Sequence, residues 1–301
     1  MPNRAGVVPF RWDVRRREQL GRLLEVKPTD LPPGSWKSIR WRELLPEVRA
    51  SSARVLARAG DARLVFVGRS PENLFDYLTG VLADTEWADR CDLLSLSIPW
   101  GDVHQVLPRP SVEALHAHFR ALRLSPAEIA AASRPVALVD LVSSGTTFGS
   151  LAATLATWAR EEGVDPAAVR RRLRFVGITI AGKNSPNAWR WFQRAEWAAD
   201  FSRGALRGVS VPYWFWAELG NDQHKTMRSN GAEHWGTDAL MHPPRDPEAF
   251  VALKLAVRLH KHARTREERA RFVAALVARD EMRAPWLRSL VVAIRRSGGA
   301  E

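Results

Sequence analysis

Cysteine is nearly absent from this chain: Cys91 is the only one in 301 residues. One thiol excludes an internal disulfide and any cysteine-cluster metal site. Close to Leu93 and Leu94, it reads as a small packed hydrophobe rather than a nucleophile. Long apolar runs are also missing, with none approaching the ~20 residues that span a bilayer. Met1-Pro2-Asn3-Arg4-Ala5-Gly6 lacks the apolar core of a signal peptide. The expectation is therefore a cytoplasmic protein with no membrane partner. Zinc-finger spacings, aromatic RNA-binding strands and internal repeats are lacking as well.

What is present is positive charge and tryptophan. The formal net charge is +12, most of the excess being arginine spread along the whole chain. Such charge serves phosphorylated small molecules as well as it serves nucleic acid, so a nucleic-acid partner is possible but not favoured. Arg15-Arg16-Arg17 reads as a solvated face. Thirteen tryptophans need either a core or a flat ligand. A hydrophobic content of 46% with 26% charged residues is that of a globular protein large enough for a substantial core.

The chain is organised around Arg134 to Leu155. Val136 to Val139 form an unbroken apolar run, suited to a strand covered on both faces. Asp140 stands at its carboxyl end, followed by Ser143-Ser144-Gly145-Thr146-Thr147, and from Phe148 the apolar spacing becomes helical. A strand, a hydroxyl- and glycine-bearing turn and a helix start make an anion site, because backbone N–H groups point outward there and the helix dipole adds partial positive charge. A plain strand-turn-helix without a ligand is the competing account of so short a motif.

A second strand-turn-helix precedes it. Arg63 to Gly68 reads as a buried strand, with Ser70 as helix N-cap and Pro71 as the first helical residue. Asp92 to Ile98 and Arg172 to Ile180 read as further strands. Helices are expected over 41–59, 111–122, from Ser125-Pro126-Ala127-Glu128, and from Asp165-Pro166. Val7 to Trp12 suggests a short strand, Arg15 to Leu24 a short helix, and Leu31 to Ser35 a loop. Alternation of strands and helices predicts an α/β fold, a mainly parallel twisted sheet with helices on both faces. Three parts follow: an irregular N-terminal layer over 1–60, an α/β domain over 61–245 and a helical C-terminal segment over 246–301. The last has helix starts at Asp246-Pro247-Glu248, Thr265-Arg266-Glu267-Glu268 and Pro285-Trp286, and would pack on the sheet or support a homo-oligomer. Asn187 to Phe201 places Trp189 with Phe192 and Trp197 with Phe201 at helical spacings, with Trp191 off the pattern.

The apolar strand, acidic residue and Ser-Gly-x-Thr turn resemble the phosphoribosyl-diphosphate-binding motif of type I phosphoribosyltransferases. The resemblance implies that Ser143, Ser144, Gly145, Thr146 and Thr147 hold a ribose 5-phosphate and that Asp140 holds ribose hydroxyls. Ser143 falls where purine-type members place a catalytic Asp, and Val139 stands where the family has its first acid. Gly68, Arg69 and Ser70 would contact pyrophosphate, and the loop from Trp100 to Pro110 falls where related enzymes keep a flap. The stretch Val211-Pro212-Tyr213-Trp214-Phe215 followed by Asp222 is similar to a region where an aromatic stacks on the base and an Asp touches Mg²⁺, which implies Tyr213 or Phe215 and Asp222. His224, Glu233 and His234 fit no standard metal spacing.

The leading expectation is thus transfer of phosphoribose to a nitrogenous acceptor with release of pyrophosphate, aided by Mg²⁺. The alternatives are a non-catalytic module sensing a phosphorylated sugar or nucleotide, and a nucleic-acid contact through the basic surface.

Overall fold

The computed structural model describes residues 8–15, 20, 41–183, 190–193 and 195–297. In chain order the elements are α1 (Trp41–Ala59), β1 (Arg63–Val67), α2 (Glu72–Val81), β2 (Cys91–Leu94), α3 (Val103–Val106), α4 (Arg109–Ala121), α5 (Pro126–Ala131) and β3 (Val136–Leu141). They continue with α6 (Thr146–Glu161), α7 (Pro166–Arg172), β4 (Leu173–Ile180), β5 (Leu206–Val211), α8 (Tyr213–Ala217), α9 (Pro247–Arg264), α10 (Arg266–Val277) and α11 (Pro285–Ser297). Two of the expected helix starts are built as their side chains dictate. Ser125 and Glu128 form a reciprocal capping box, and the Asp165 carboxylate accepts from the amides of Ala167 and Ala168.

Among the described residues five strands form one parallel sheet, in the order β2-β1-β3-β4-β5. The protein is therefore of the α/β class, as the alternation in sequence implies. Side chains alternate between two cores. Phe66, Ala137, Val139, Val176 and Ile178 face one side, covered by α1, α2 and the C-terminal helices. Val65, Leu138 and Phe175 face the other, with α4, α6 and α7. The C-terminal helices share the sheet's core, since Leu259, Phe272, Leu276, Leu287 and Ile294 belong to the first cluster. At Gly80 the helices α2 and α9 come so close that a Cβ would lie 2.8 Å from the Ala263 Cβ. Glu268, fully buried, accepts from Arg49 (Nε 2.6 Å, Nη2 2.8 Å) and from the Tyr77 hydroxyl (2.7 Å), and so joins α10 to α1 and α2.

Several local expectations are corrected. Residues 8–13 carry no strand; Arg11 instead reaches the fully buried Asp76 at 2.7 and 2.8 Å. The second strand stops at Leu94, because Ser97 N donates to the Asn230 carbonyl of a crossing loop rather than to a neighbouring strand. Pro71, not Ser70, is the N-cap of α2, its carbonyl accepting from Leu74 and Phe75. Trp191, off the helical spacing, is buried, and the described residues of its region hold turns and a short 3-10 helix instead of a regular helix. The helix expected over 15–24 and the loop over 31–35 fall almost wholly outside the described residues, as does Trp189. Among the described residues no helix is long and apolar enough to cross a membrane.

Candidate functional site

The strand order fixes where a ligand can sit. From β1 the chain crosses to β2 on one side and then returns to β3 on the other. The connections leaving the carboxyl ends of β1 and β3 thus run in opposite directions, and the crevice outside such a point is the position that open parallel sheets use for ligands. The two turns singled out in the sequence flank this crevice: residues 68–70 after β1 and 143–147 after β3.

In the second turn, Gly145 is the N-cap of α6 with a left-handed φ of +81°. A Cβ there would be strained and would also meet the Trp191 ring at 2.7 Å. Trp191, seated on Gly145 and stacked obliquely near Phe148, closes one side of the turn. Ser143, Ser144 and Thr146 remain exposed on the other. Among the described residues, no backbone carbonyl accepts from the amides of Ser144, Gly145, Thr146, Thr147 or Phe148. A run of donors at a helix N-terminus, open on its hydroxyl side, is the chemistry an anion requires.

Asp140 lies one turn away, nearly buried at the end of β3, paired in register with Gly177. Burial pushes its carboxyl up to about 8; the Leu141 amide, donating at 2.7 Å, and the Thr147 hydroxyl pull it back only in part. The preceding Val139 points the opposite way, into the core with no exposure. A residue at 139 therefore cannot share the crevice with Asp140.

The first turn differs from its expected role in part. Gly68 N donates to the Leu94 carbonyl at 2.8 Å and is spent on extending the sheet. The amides of Arg69 and Ser70 have no backbone acceptor among the described residues. The Arg69 guanidinium donates to the Met227 carbonyl at 3.3 Å.

A third wall comes from the segment after β5. Phe215 is fully buried in the core, so Tyr213, 67% exposed, is the ring of the two that solvent reaches. The π-turn Glu218–Asp222 then passes the end of β3: a Cβ on Gly220 would lie 3.0 Å from Leu141 Cδ2. Gln223 ties this segment down, donating to the Ser70 and Leu219 carbonyls at 2.9 Å each and accepting from Asn73. Thr226 donates through both N and Oγ1 to the buried Glu72, and Arg11 donates to Thr226. Lys225, which no motif in the sequence marks, belongs to this wall. Its ammonium donates to the Leu219 carbonyl at 2.6 Å, and burial pulls it down to about 8, with Glu72 opposing and Arg69 reinforcing the shift. Only the latch residues Gln223 and Thr226, whose partners lie about 150 positions away, make this lysine part of the crevice; nothing in the local sequence marks it.

Asp222 sits on the π-turn, half-buried. Among the described residues, no three His, Cys, Asp or Glu side chains gather to hold a metal ion. His224 and His234 lie 3.9 and 3.6 Å from Glu248 and Glu233 respectively, as separate surface pairs. Compared with known proteins, the chain matches no family model, no curated protein and no solved structure.

Proposed function

We propose that the crevice binds a phosphorylated ribose, phosphoribosyl diphosphate or a related nucleotide, and that the protein transfers the phosphoribose to a nitrogenous acceptor with release of pyrophosphate. The observation that carries this reading is the run of amides from Ser144 to Phe148 with no backbone acceptor among the described residues, beside the buried Asp140, at the point where the sheet's connections diverge. The turn takes the 5-phosphate, Asp140 the ribose hydroxyls. The Arg69 and Ser70 amides, with the Arg69 and Lys225 cations, face the diphosphate. Tyr213 offers its exposed ring to a flat acceptor. Ser143 has no general-base chemistry of its own, so its role is to donate a hydrogen bond to the phosphate.

The donor set suits a Mg²⁺ that arrives with a diphosphate better than a resident one, since Mg²⁺ is commonly held by one or two carboxylates plus substrate oxygens. Asp222 would supply such a carboxylate, and the ion would neutralise charge on the leaving pyrophosphate.

One observation favours a second reading, a sensor without turnover. With Val139 turned into the core, the strand end presents a single carboxylate, and burial raises that one's pKa to about 8. Calorimetry with phosphoribosyl diphosphate, with and without Mg²⁺, coupled to a pyrophosphate assay over nucleobases and amines, separates the readings. Binding with turnover supports transfer, binding without turnover supports sensing, and no binding removes both.

A further inference from the structure

At the opposite end of the sheet lies a second site of different character. A cavity of about 580 Å³ opens beside the amino ends of β4 and β5, lined by Arg58, Arg170, Arg171, Arg174, Arg207 and Arg283, with Glu281 as its one acidic wall residue. Three of these cations are spoken for: Arg58 pairs with Glu281 at 3.3 Å, Arg171 with Asp165 at 3.6 Å, and Arg174 with Asp61 at 3.8 Å. Arg170, Arg207 and Arg283 have no carboxylate within 4 Å among the described residues. Arg170 and Arg207 are also half-buried, which makes their uncompensated charge more costly than on an open surface. Such an arrangement gains stability from a multiply charged anion, and guanidinium forks match phosphate oxygens in pairs.

We propose that this cavity binds a small polyphosphate anion, the di- or triphosphate group of a nucleotide or inorganic polyphosphate. Three observations favour a compact ligand over a nucleic-acid backbone. The arginines converge on one cavity instead of forming a stripe, its volume is that of a small-molecule site, and Trp286 walls one side. The site is independent of the crevice. The strand β4 spans Leu173–Ile180, so at roughly 3.3 Å per residue the two ends lie about 23 Å apart, beyond the reach of one mononucleotide.

The test is calorimetric titration of the full chain with inorganic triphosphate, without Mg²⁺. Wild type is compared with Arg170→Gln/Arg207→Gln, with the exposed Arg283→Gln, and with Ser144→Ala/Thr146→Val at the other end of the sheet. The double arginine variant should lose affinity by about tenfold or more, and Arg283→Gln by a smaller factor, as charge-assisted contacts disappear. The crevice variant should leave that binding event in place. If the double variant does not fold, the comparison of wild type with Arg283→Gln decides the matter, because an exposed arginine can be replaced without disturbing the core. Equal triphosphate affinity in wild type and the arginine variants would overturn the proposal. So would a single-stranded oligonucleotide that binds at least about tenfold more tightly than triphosphate and loses that advantage in the arginine variants, because the surface would then be a nucleic-acid contact.

Discussion

Val139 and Asp140 are neighbours in sequence that face opposite sides of β3, and most of the site's chemistry turns on that alternation. Asp140 faces the crevice with a pKa raised to about 8, chiefly by burial. Between the ordinary carboxylate range and about 8, the folded chain keeps a proton that the unfolded chain has lost. Stability contributed by this position is therefore present at low pH and declines as pH rises through that window. Asp140→Asn should flatten this part of the stability–pH curve, as measured by urea melts from pH 4 to 9. The same residue should make ribose binding release a proton at neutral pH, because sugar hydroxyls donate to the ionised form. In Asp140→Asn, affinity for ribose 5-phosphate should fall by on the order of 1–3 kcal/mol while inorganic phosphate binds as before. Equal loss for both ligands would mean that Asp140 supports the turn only.

Position 139 allows the opposite argument. An acid there would not restore a second ribose carboxylate, because the side chain enters the core beside Phe66 and Val176. Val139→Asp should destabilise the fold by about 3 kcal/mol or more without improving ribose affinity, read from melting and calorimetry together. A gain in affinity at near-unchanged stability would show that the strand end is turned otherwise.

At the scale of elements, the crevice owes its third wall to the segment that leaves β5 and recrosses the sheet's carboxyl edge. Its anchors are few and polar. Gln223→Ala removes donors to Ser70 and Leu219 and leaves the buried Asn73 amide without its acceptor. The cost should be about 1–3 kcal/mol, with faster amide exchange over 219–227 and weaker binding of diphosphate-bearing ligands. Unchanged exchange there would show that the loop is held by its apolar contacts instead. The two strand-turn-helix units are legible in sequence because their information is local: an apolar run, a glycine that alone accepts a left-handed φ, a helix start. The latch is not, since Gln223 and Thr226 find their partners about 150 residues away at Ser70 and Glu72. Trp191 escapes a sequence reading for a related reason. Helical spacing sets it off the packed face, yet the described residues there form no regular helix, and the small Gly145 and Gly177 provide its seat. Phe215 likewise matches a stacking position by pattern, although burial places it in the core.

For the whole molecule, the parallel α/β architecture follows from alternation of strands and helices, and the helices after residue 245 share the sheet's core. The C-terminal helices close one face of the sheet, and Glu268 binds Arg49 and Tyr77 across α1 and α2. A chain ending at residue 245 should therefore expose the Phe66 and Val139 face and fail to melt cooperatively; a sharp, native-like transition would show that the sheet folds without those helices. The two proposed anion sites lie at opposite ends of one sheet, and hydrogen–deuterium exchange tells them apart in one experiment. With phosphoribosyl diphosphate and Mg²⁺, slowed exchange should appear over residues 143–150 and 68–74, where the amides that now lack acceptors would gain one. Slowing confined to the arginine-lined end, at 170–174 and 203–207, or none at either place, would contradict the crevice as the ligand site.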